Sequence, residues 1–164
     1  MKISITNSKL GGKIPSINLP PVITCVKGAP CSKLCYAKKG NWTYANVKNS
    51  LQKNLDHFTK DSESYFNDII AWLKDDSVVF KFFRWHSSGD IVDIKYLMGM
   101  VKVAQSCQET KFLCFTKKFD LINLFIDVNG ELPSNLKIVF SAWDNTFEVR
   151  NPHNLPITYV NFKV

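Results

Sequence analysis

Several apolar runs in this chain end abruptly in a polar turn, and this alternation constrains the fold more than any other feature of the sequence. Short apolar runs bounded by turn signals are typical of buried β-strands. The runs are Val78 to Trp85, Lys111 to Phe115 and Leu136 to Phe140, and the turns that follow them are His86 to Asp90, Thr116 to Lys118 and Ser141 to Asp144. A last run, Ile157 to Phe162, predicts a fourth strand.

Between these runs, apolar residues recur at the spacing of one helix face. Ser62 stands at the start of one of these helices and is a candidate for its N-terminal cap. Strands that alternate with helices predict an α/β fold, a mostly parallel sheet of βα units in a single small domain. The carboxyl ends of parallel strands share one edge, where sites are usually built, so the three polar turns are predicted to line one crevice. The predicted helices are Asn46 to Phe58, Ser62 to Leu73, Asp93 to Ala104 and Phe119 to Ile126.

The chain before the first predicted helix is rich in turn-forming residues. Asn7 to Ile14 is predicted to be a turn-rich lead-in. Three prolines follow among β-branched residues, and because proline is excluded from central strands we predict an extended segment with an edge strand near Val22-Ile23-Thr24. Cys25 to Cys35 is predicted to be a loop.

Length and charge narrow the class of protein. A chain of 164 residues is expected to form one domain over residues 1–164. No apolar run approaches the roughly 20 residues of a membrane span, and the N-terminus lacks the apolar stretch of a secretory signal. The sequence therefore predicts a cytoplasmic protein without a membrane partner.

The net charge of +7 would suit an anionic partner. The lysines are scattered, however, and there are only two arginines, so nucleic-acid binding gains little support.

Three of the five cysteines, Cys25, Cys31 and Cys35, fall within eleven residues of a polar loop. In a reducing compartment, clustered cysteines bind metal more often than they form disulfides. Three thiolates suit a [4Fe–4S] cluster with one iron left open for a ligand. They equally suit zinc with one distant ligand. The alternative interpretation is that these cysteines pack as small apolar residues.

A zinc site would need a fourth ligand, for which Cys107, Cys114 and His86 are candidates. Cys114 lies inside an apolar strand, which favours core packing. His86 is predicted to face the crevice, either as a ligand, a substrate contact or an acid–base group, or as a hydrogen-bonded residue that orients the turn. Asp90 either meets a ligand or caps the helix that starts near Asp93.

Six short segments spread along most of the chain are distinctive: Asn7-Ser8-Lys9-Leu10-Gly11, Ala29-Pro30-Cys31, Cys35-Tyr36-Ala37, His86-Ser87-Ser88-Gly89-Asp90, Phe115-Thr116-Lys117 and Ser141-Ala142-Trp143. Together they resemble the gene product 88 family, a family of phage-encoded proteins.

That family in turn resembles radical S-adenosylmethionine (SAM) enzymes, which are partial (β/α) barrels. The resemblance implies that the three clustered cysteines hold a [4Fe–4S] cluster whose open iron binds SAM for radical chemistry on an unknown substrate. It also implies that Ser88, Gly89 and Asp90 meet the amine of SAM, as a Gly-Gly-Glu-like turn does in those enzymes. Lys117 and Ser141 are further candidates for contact with the cofactor, although a lysine is more often solvated.

The chain departs from the radical SAM pattern in three respects. Its cysteines are spaced by five and then three residues, where that superfamily usually has three and then two, and Tyr36 follows the last cysteine instead of preceding it. The chain is also short for a catalytic barrel, so we expect either a natural short form or a truncated one. The alternative function is a non-enzymatic, metal-stabilised protein, with iron–sulfur or zinc, that binds a host protein or nucleic acid.

Overall fold

The computed structural model describes residues 1–5, 14–75, 80–143 and 148–159. Its strands form one six-stranded sheet in the order β1-β2-β3-β4-β5-β6. Strands β1 and β2 are antiparallel, and every later neighbouring pair is parallel. The strands are β1 (Ile3–Ser4), β2 (Ser16–Ile17), β3 (Phe82–Trp85), β4 (Lys111–Thr116), β5 (Leu136–Ala142) and β6 (Ile157–Tyr159). This confirms the predicted α/β fold with a mostly parallel sheet.

The four predicted helices are confirmed, with ends that shift by three residues at most. A short additional helix begins within the cysteine loop. The helices are α1 (Cys31–Leu34), α2 (Ala45–Lys60), α3 (Ser62–Leu73), α4 (Ile94–Ser106) and α5 (Phe119–Asn129), with 3₁₀ turns at Tyr36–Lys38 and Gly40–Thr43. No helix in the described part of the chain is long and apolar enough to cross a membrane.

The predicted edge strand near Val22 to Thr24 is wrong, because these residues lie in a turn. The strand is instead Ser16–Ile17, and it lies between β1 and β3, not at the edge. Proline has no N–H to donate to a strand ladder. Pro15 therefore precedes the strand, and Pro20 and Pro21 follow it closely.

Two predicted helix caps are also wrong. Asp61, not Ser62, caps α3, and its Oδ1 accepts a hydrogen bond from the Ser64 N–H at 2.9 Å. Asp93, not Asp90, caps α4 by accepting from the Tyr96 N–H at 2.8 Å. In both cases an aspartate directly before the helix can reach the free N–H groups of the first turn.

Some predictions lie outside the described residues. They concern residues 7–13 of the lead-in predicted at Asn7 to Ile14, the first residues of the strand predicted from Val78, the turn residue Asp144 and the last residues of the strand predicted to end at Phe162.

The four longer helices pack on one face of the sheet. Alternate residues of the strands form a single core with them, and these strand residues are Ile17, Phe83, Trp85, Phe112, Cys114, Leu136, Ile138 and Phe140. The opposite face carries Arg84, Leu113, Phe115 and Val139, which are only partly buried. Parallel strands in sequential order, with helices on one face, are the arrangement of a partial (β/α) barrel. We call the opposite side the helix-free face.

Candidate functional site

The chain that leaves β2 is bonded along the turn that follows β3. The His86 N–H donates to the Ile17 carbonyl at 2.9 Å, and the Leu19 N–H donates to the Ser88 carbonyl at 3.0 Å. The Ser88 hydroxyl donates back to the Leu19 carbonyl at 3.1 Å. These bonds bring the segment that leads to Cys25 against the turn at residues 86–90.

Gly89 allows this close approach. Its φ is +81°, and a Cβ at this position would lie 2.8 Å from the Leu19 Cβ, the Leu19 carbonyl oxygen and the Thr24 Oγ1. The Thr24 hydroxyl accepts from the Asp90 N–H at 3.0 Å and donates to the Pro20 carbonyl at 2.9 Å. Only glycine combines this backbone angle with this spacing.

Asp90 joins the turn after β3 to the turn after β4. Its Oδ1 accepts from the Thr116 hydroxyl at 2.6 Å and from the Ile91 N–H at 2.8 Å, and its Oδ2 accepts from the Lys117 N–H at 3.0 Å. Burial raises the pKa of Asp90, while these hydrogen bonds and the charge of Lys117 act in the opposite direction. Three donors leave one acceptor position of the carboxylate for a ligand.

Lys117 joins the turn after β4 to the end of β5. Its Nζ lies 2.8 Å from the hydroxyl of Ser141, a residue that is almost completely buried. The structure therefore brings Asp90, Lys117 and Ser141 together at the carboxyl edge of the sheet. This is the edge that the parallel arrangement predicted.

The cysteine loop lies beside the same edge. Cys25, Cys31 and Cys35 are free and partly buried. Burial raises the pKa of the Cys25 thiol, and the negative charges of Asp90, Cys35 and Cys31 add to this effect.

Tyr36 anchors the loop to the sheet. Its hydroxyl donates to the Ser87 carbonyl in the turn after β3. The Tyr36 ring also meets the Trp42 ring edge-on, with centroids 6.2 Å apart. The residue that follows the last clustered cysteine thus fixes the position of this loop over the turn.

The donor set fits a cluster in chemistry and number, since three free thiols lie on one loop with part of their surface open to solvent. Among the described residues, however, no group of three or more His, Cys, Asp or Glu side chains is placed to hold a metal ion. Cluster binding would therefore have to draw the sulfurs of Cys25, Cys31 and Cys35 together, as metal binding often orders its own ligands.

His86 faces the core and not the cysteine loop. Its Nε2 lies 3.1 Å from the Tyr96 hydroxyl, and its Nδ1 lies 3.9 Å from the Cys114 sulfur. Burial, with a smaller effect of the Arg84 charge, lowers the pKa of His86 to about 3. Of its predicted roles, the structure shows the hydrogen-bonded residue that orients the turn, with a neutral ring at neutral pH.

The other two candidates for a fourth zinc ligand lie on different elements from the cysteine loop. Cys114 is buried in the core on the helix side of the sheet, which confirms its predicted packing. Cys107 follows α4 and precedes β4, so it lies at the opposite, amino edge of the strands.

Sequence reasoning missed Thr24 and Arg84. Thr24 binds Asp90 across 66 residues, and no local pattern signals such a contact. Arg84 lies on the helix-free face, where its guanidinium carbon is 4.9 Å from the centroid of the Phe115 ring. The sequence did contain a sign of Arg84, because it is a charged residue within the otherwise apolar run Phe82-Phe83-Arg84-Trp85.

The fold and the site together define a mostly parallel α/β protein with a thiol-bearing loop bonded to the carboxyl edge of its sheet. The gene product 88 family matches residues 2–159, and the chain belongs to that family, as its short sequence segments predicted. No curated protein matches the chain, and no solved structure matches it either.

Proposed function

We propose that this member of the gene product 88 family is an iron–sulfur protein of the radical SAM type. Cys25, Cys31 and Cys35 would bind a [4Fe–4S] cluster with an open iron for SAM, in the cytoplasm of the host cell. The observation that supports the proposal is that three free thiols lie on a loop hydrogen-bonded to the turn at residues 86–90, at the carboxyl edge of the sheet.

The chain's own residues would bind and orient the cofactors. A cluster of this kind supplies one electron for the cleavage of SAM, which is the chemistry of the cofactor and not of the protein. Gly89 keeps the turn close to the loop, and the free acceptor position of Asp90 suits an ammonium group. Lys117, held beside Ser141, would offer a positive charge to a carboxylate.

Anaerobic reconstitution with iron and sulfide tests this proposal. The wild-type protein should turn brown and retain both elements, and Cys31→Ala should lose most of both. Cys107→Ala is the matched control, since it removes a thiol at the opposite edge of the sheet. Stoichiometric zinc without sulfide in the reconstituted wild-type protein would rule out an iron–sulfur site.

Binding of SAM is tested separately by calorimetry on the cluster-loaded protein. Asp90→Ala should keep the iron but weaken SAM binding by about tenfold or more, since a hydrogen bond to a charged group contributes roughly 1.5–3 kcal/mol. Lys60→Ala, at the end of α2, should change neither property. The absence of binding by the loaded wild-type protein at millimolar SAM would reject the enzymatic function.

The second candidate is a non-enzymatic metal-stabilised protein, with iron–sulfur or zinc, that binds a host protein or nucleic acid. The net charge of +7 favours it, as does the cysteine spacing, which differs from that of radical SAM enzymes. A metal-loaded protein that binds a nucleic-acid duplex with a steep salt dependence, but does not bind SAM, would support this function instead.

A further inference from the structure

The helix-free face of the sheet carries positive charge. In the strand register, Arg84 pairs with Leu113, which pairs with Lys137, so the three residues form one row on this face. Lys111 lies on the same face of β4 as Leu113, because side chains alternate along a strand. Among the strand residues that the structure describes, no Asp or Glu lies on this face.

Arg84 is the least satisfied of these cations. Its Nε is buried and has no hydrogen-bond partner among the described residues. No ion pair joins Arg84 to any carboxylate in that part of the chain. The Phe115 ring lies against the guanidinium, with its centroid 4.9 Å from the guanidinium carbon. A guanidinium whose Nε–H lacks a partner suits a carboxylate or a phosphate, since both accept paired hydrogen bonds from its N–H groups.

The surroundings of Arg84 are apolar and close to the cysteine loop. Leu113, Phe115 and Val139 line the same face and are partly exposed. The charge of Arg84 also acts on the hydroxyl of Tyr36, which is bonded to the turn after β3. The guanidinium therefore lies on the helix-free face and acts electrostatically on Tyr36, the residue that follows the last clustered cysteine.

We propose that Arg84 and Phe115 form a substrate subsite that binds an oxyanion group, a carboxylate or a phosphate, attached to a flat or apolar body. The inference rests on the proposed function, since it gives the class of substrate on which that function would act. The oxyanion accepts hydrogen bonds from the guanidinium of Arg84. The apolar body lies against the exposed parts of Leu113, Phe115 and Val139.

Two aromatic anions, benzoate and phenyl phosphate, are suitable probes, and neutral benzamide is the matched control. Each is titrated into the 164-residue protein while the Nε–H signal of Arg84 is followed by NMR. We expect one or both anions to shift this signal saturably, and the stronger of the two identifies a carboxylate or a phosphate. Benzamide should produce no comparable shift.

Arg84→Gln should weaken binding of the preferred anion by about tenfold or more, as expected for loss of a charge-assisted hydrogen bond. Lys95→Gln should leave the affinity unchanged. It also removes one positive charge, but from an exposed position of α4 on the other side of the sheet. A thermal midpoint of Arg84→Gln near that of the wild type would show that the fold is retained. Arg84→Lys provides a second variant, which keeps the charge and should bind more weakly than the wild type.

Equal affinities of the wild type and Arg84→Gln, or equal binding of benzamide and benzoate, would overturn the subsite. Failure of the subsite is distinguishable from failure of the proposed function. Arg84→Gln should retain iron and sulfide after reconstitution. If the wild type binds the anion but takes up no iron or sulfide on anaerobic reconstitution, the iron–sulfur proposal fails and the subsite remains.

Discussion

Gly89 lies at the point where the segment leading to the cysteine loop crosses the turn after β3. Its φ of +81° is strained for any other residue, and the space that a Cβ would need is filled by the backbone of Leu19. Two separate costs therefore fall on a substitution here, one from the backbone angle and one from the clash.

Gly89→Ala should destabilise the protein by about 2–4 kcal/mol, measured by urea unfolding. Gly40→Ala separates the two costs, since Gly40 has a φ of +57° but a Cβ added there would meet no atom within 4 Å. It should lose only about 1 kcal/mol or a little more. Equal losses in the two variants would show that the close contact with Leu19 contributes nothing.

The elements of this protein are held together at their ends by side chains that reach from one turn to the next. Asp90 connects the turn after β3 with β4, and Lys117 connects the turn after β4 with β5. Because each bond spans a different pair of turns, the carboxyl edge of the sheet behaves as a linked unit. Such links keep the candidate site in place at the edge of the sheet, while the four longer helices cover one of its faces.

A double-mutant cycle between Asp90 and Thr116 measures the strength of this link. Asp90→Ala and Thr116→Val should each destabilise the protein, and their coupling energy should be about 1.5–3 kcal/mol, because a buried hydroxyl donates to a carboxylate at 2.6 Å.

The exposed hydrogen bond from Lys102 to Asn67, at 2.9 Å, serves as the control pair. Its coupling should be below about 0.5 kcal/mol, since water competes with an exposed bond. If the coupling energy between Asp90 and Thr116 is no larger than that of the Lys102–Asn67 pair, the turns are held by the backbone alone.

At the scale of the whole molecule, the partly buried thiols connect the cysteine loop to the stability of the fold. The loop is bonded to the turn after β3 through Tyr36, and the segment before it is bonded to the same turn through Thr24. A ligand that draws Cys25, Cys31 and Cys35 together would therefore stabilise the folded state as a whole.

The proposed cluster should raise the midpoint of thermal unfolding by several degrees in wild-type protein compared anaerobically before and after reconstitution. Cys31→Ala should show no such rise, whereas Cys107→Ala should show the full rise. Identical midpoints for the two wild-type samples, despite bound iron, would place the cluster outside the cooperative unit of folding.

The sequence by itself determined the helices, the parallel strands and the shared edge of the polar turns. Apolar spacing is a local property, and a strand followed by a helix leaves few topologies open. The meeting of residues 86–90, 116–118 and Ser141 at one edge followed directly from that topology. The family of the chain was also readable from short segments such as His86 to Asp90.

Only the tertiary structure decided which atoms meet at that edge. The short strand at Ser16–Ile17, the bond from Asp90 to Thr24 and the absence of room beside Gly89 depend on segments about 70 residues apart in the chain. Asp90 was a candidate helix cap in the sequence, yet Asp93 is nearer to the helix and the Asp90 carboxylate turns to Thr116. Periodicity shows which side chains are buried, whereas the partners of a buried polar group depend on how distant segments pack. The Nε of Arg84, which has no partner among the described residues, is therefore seen only in the structure.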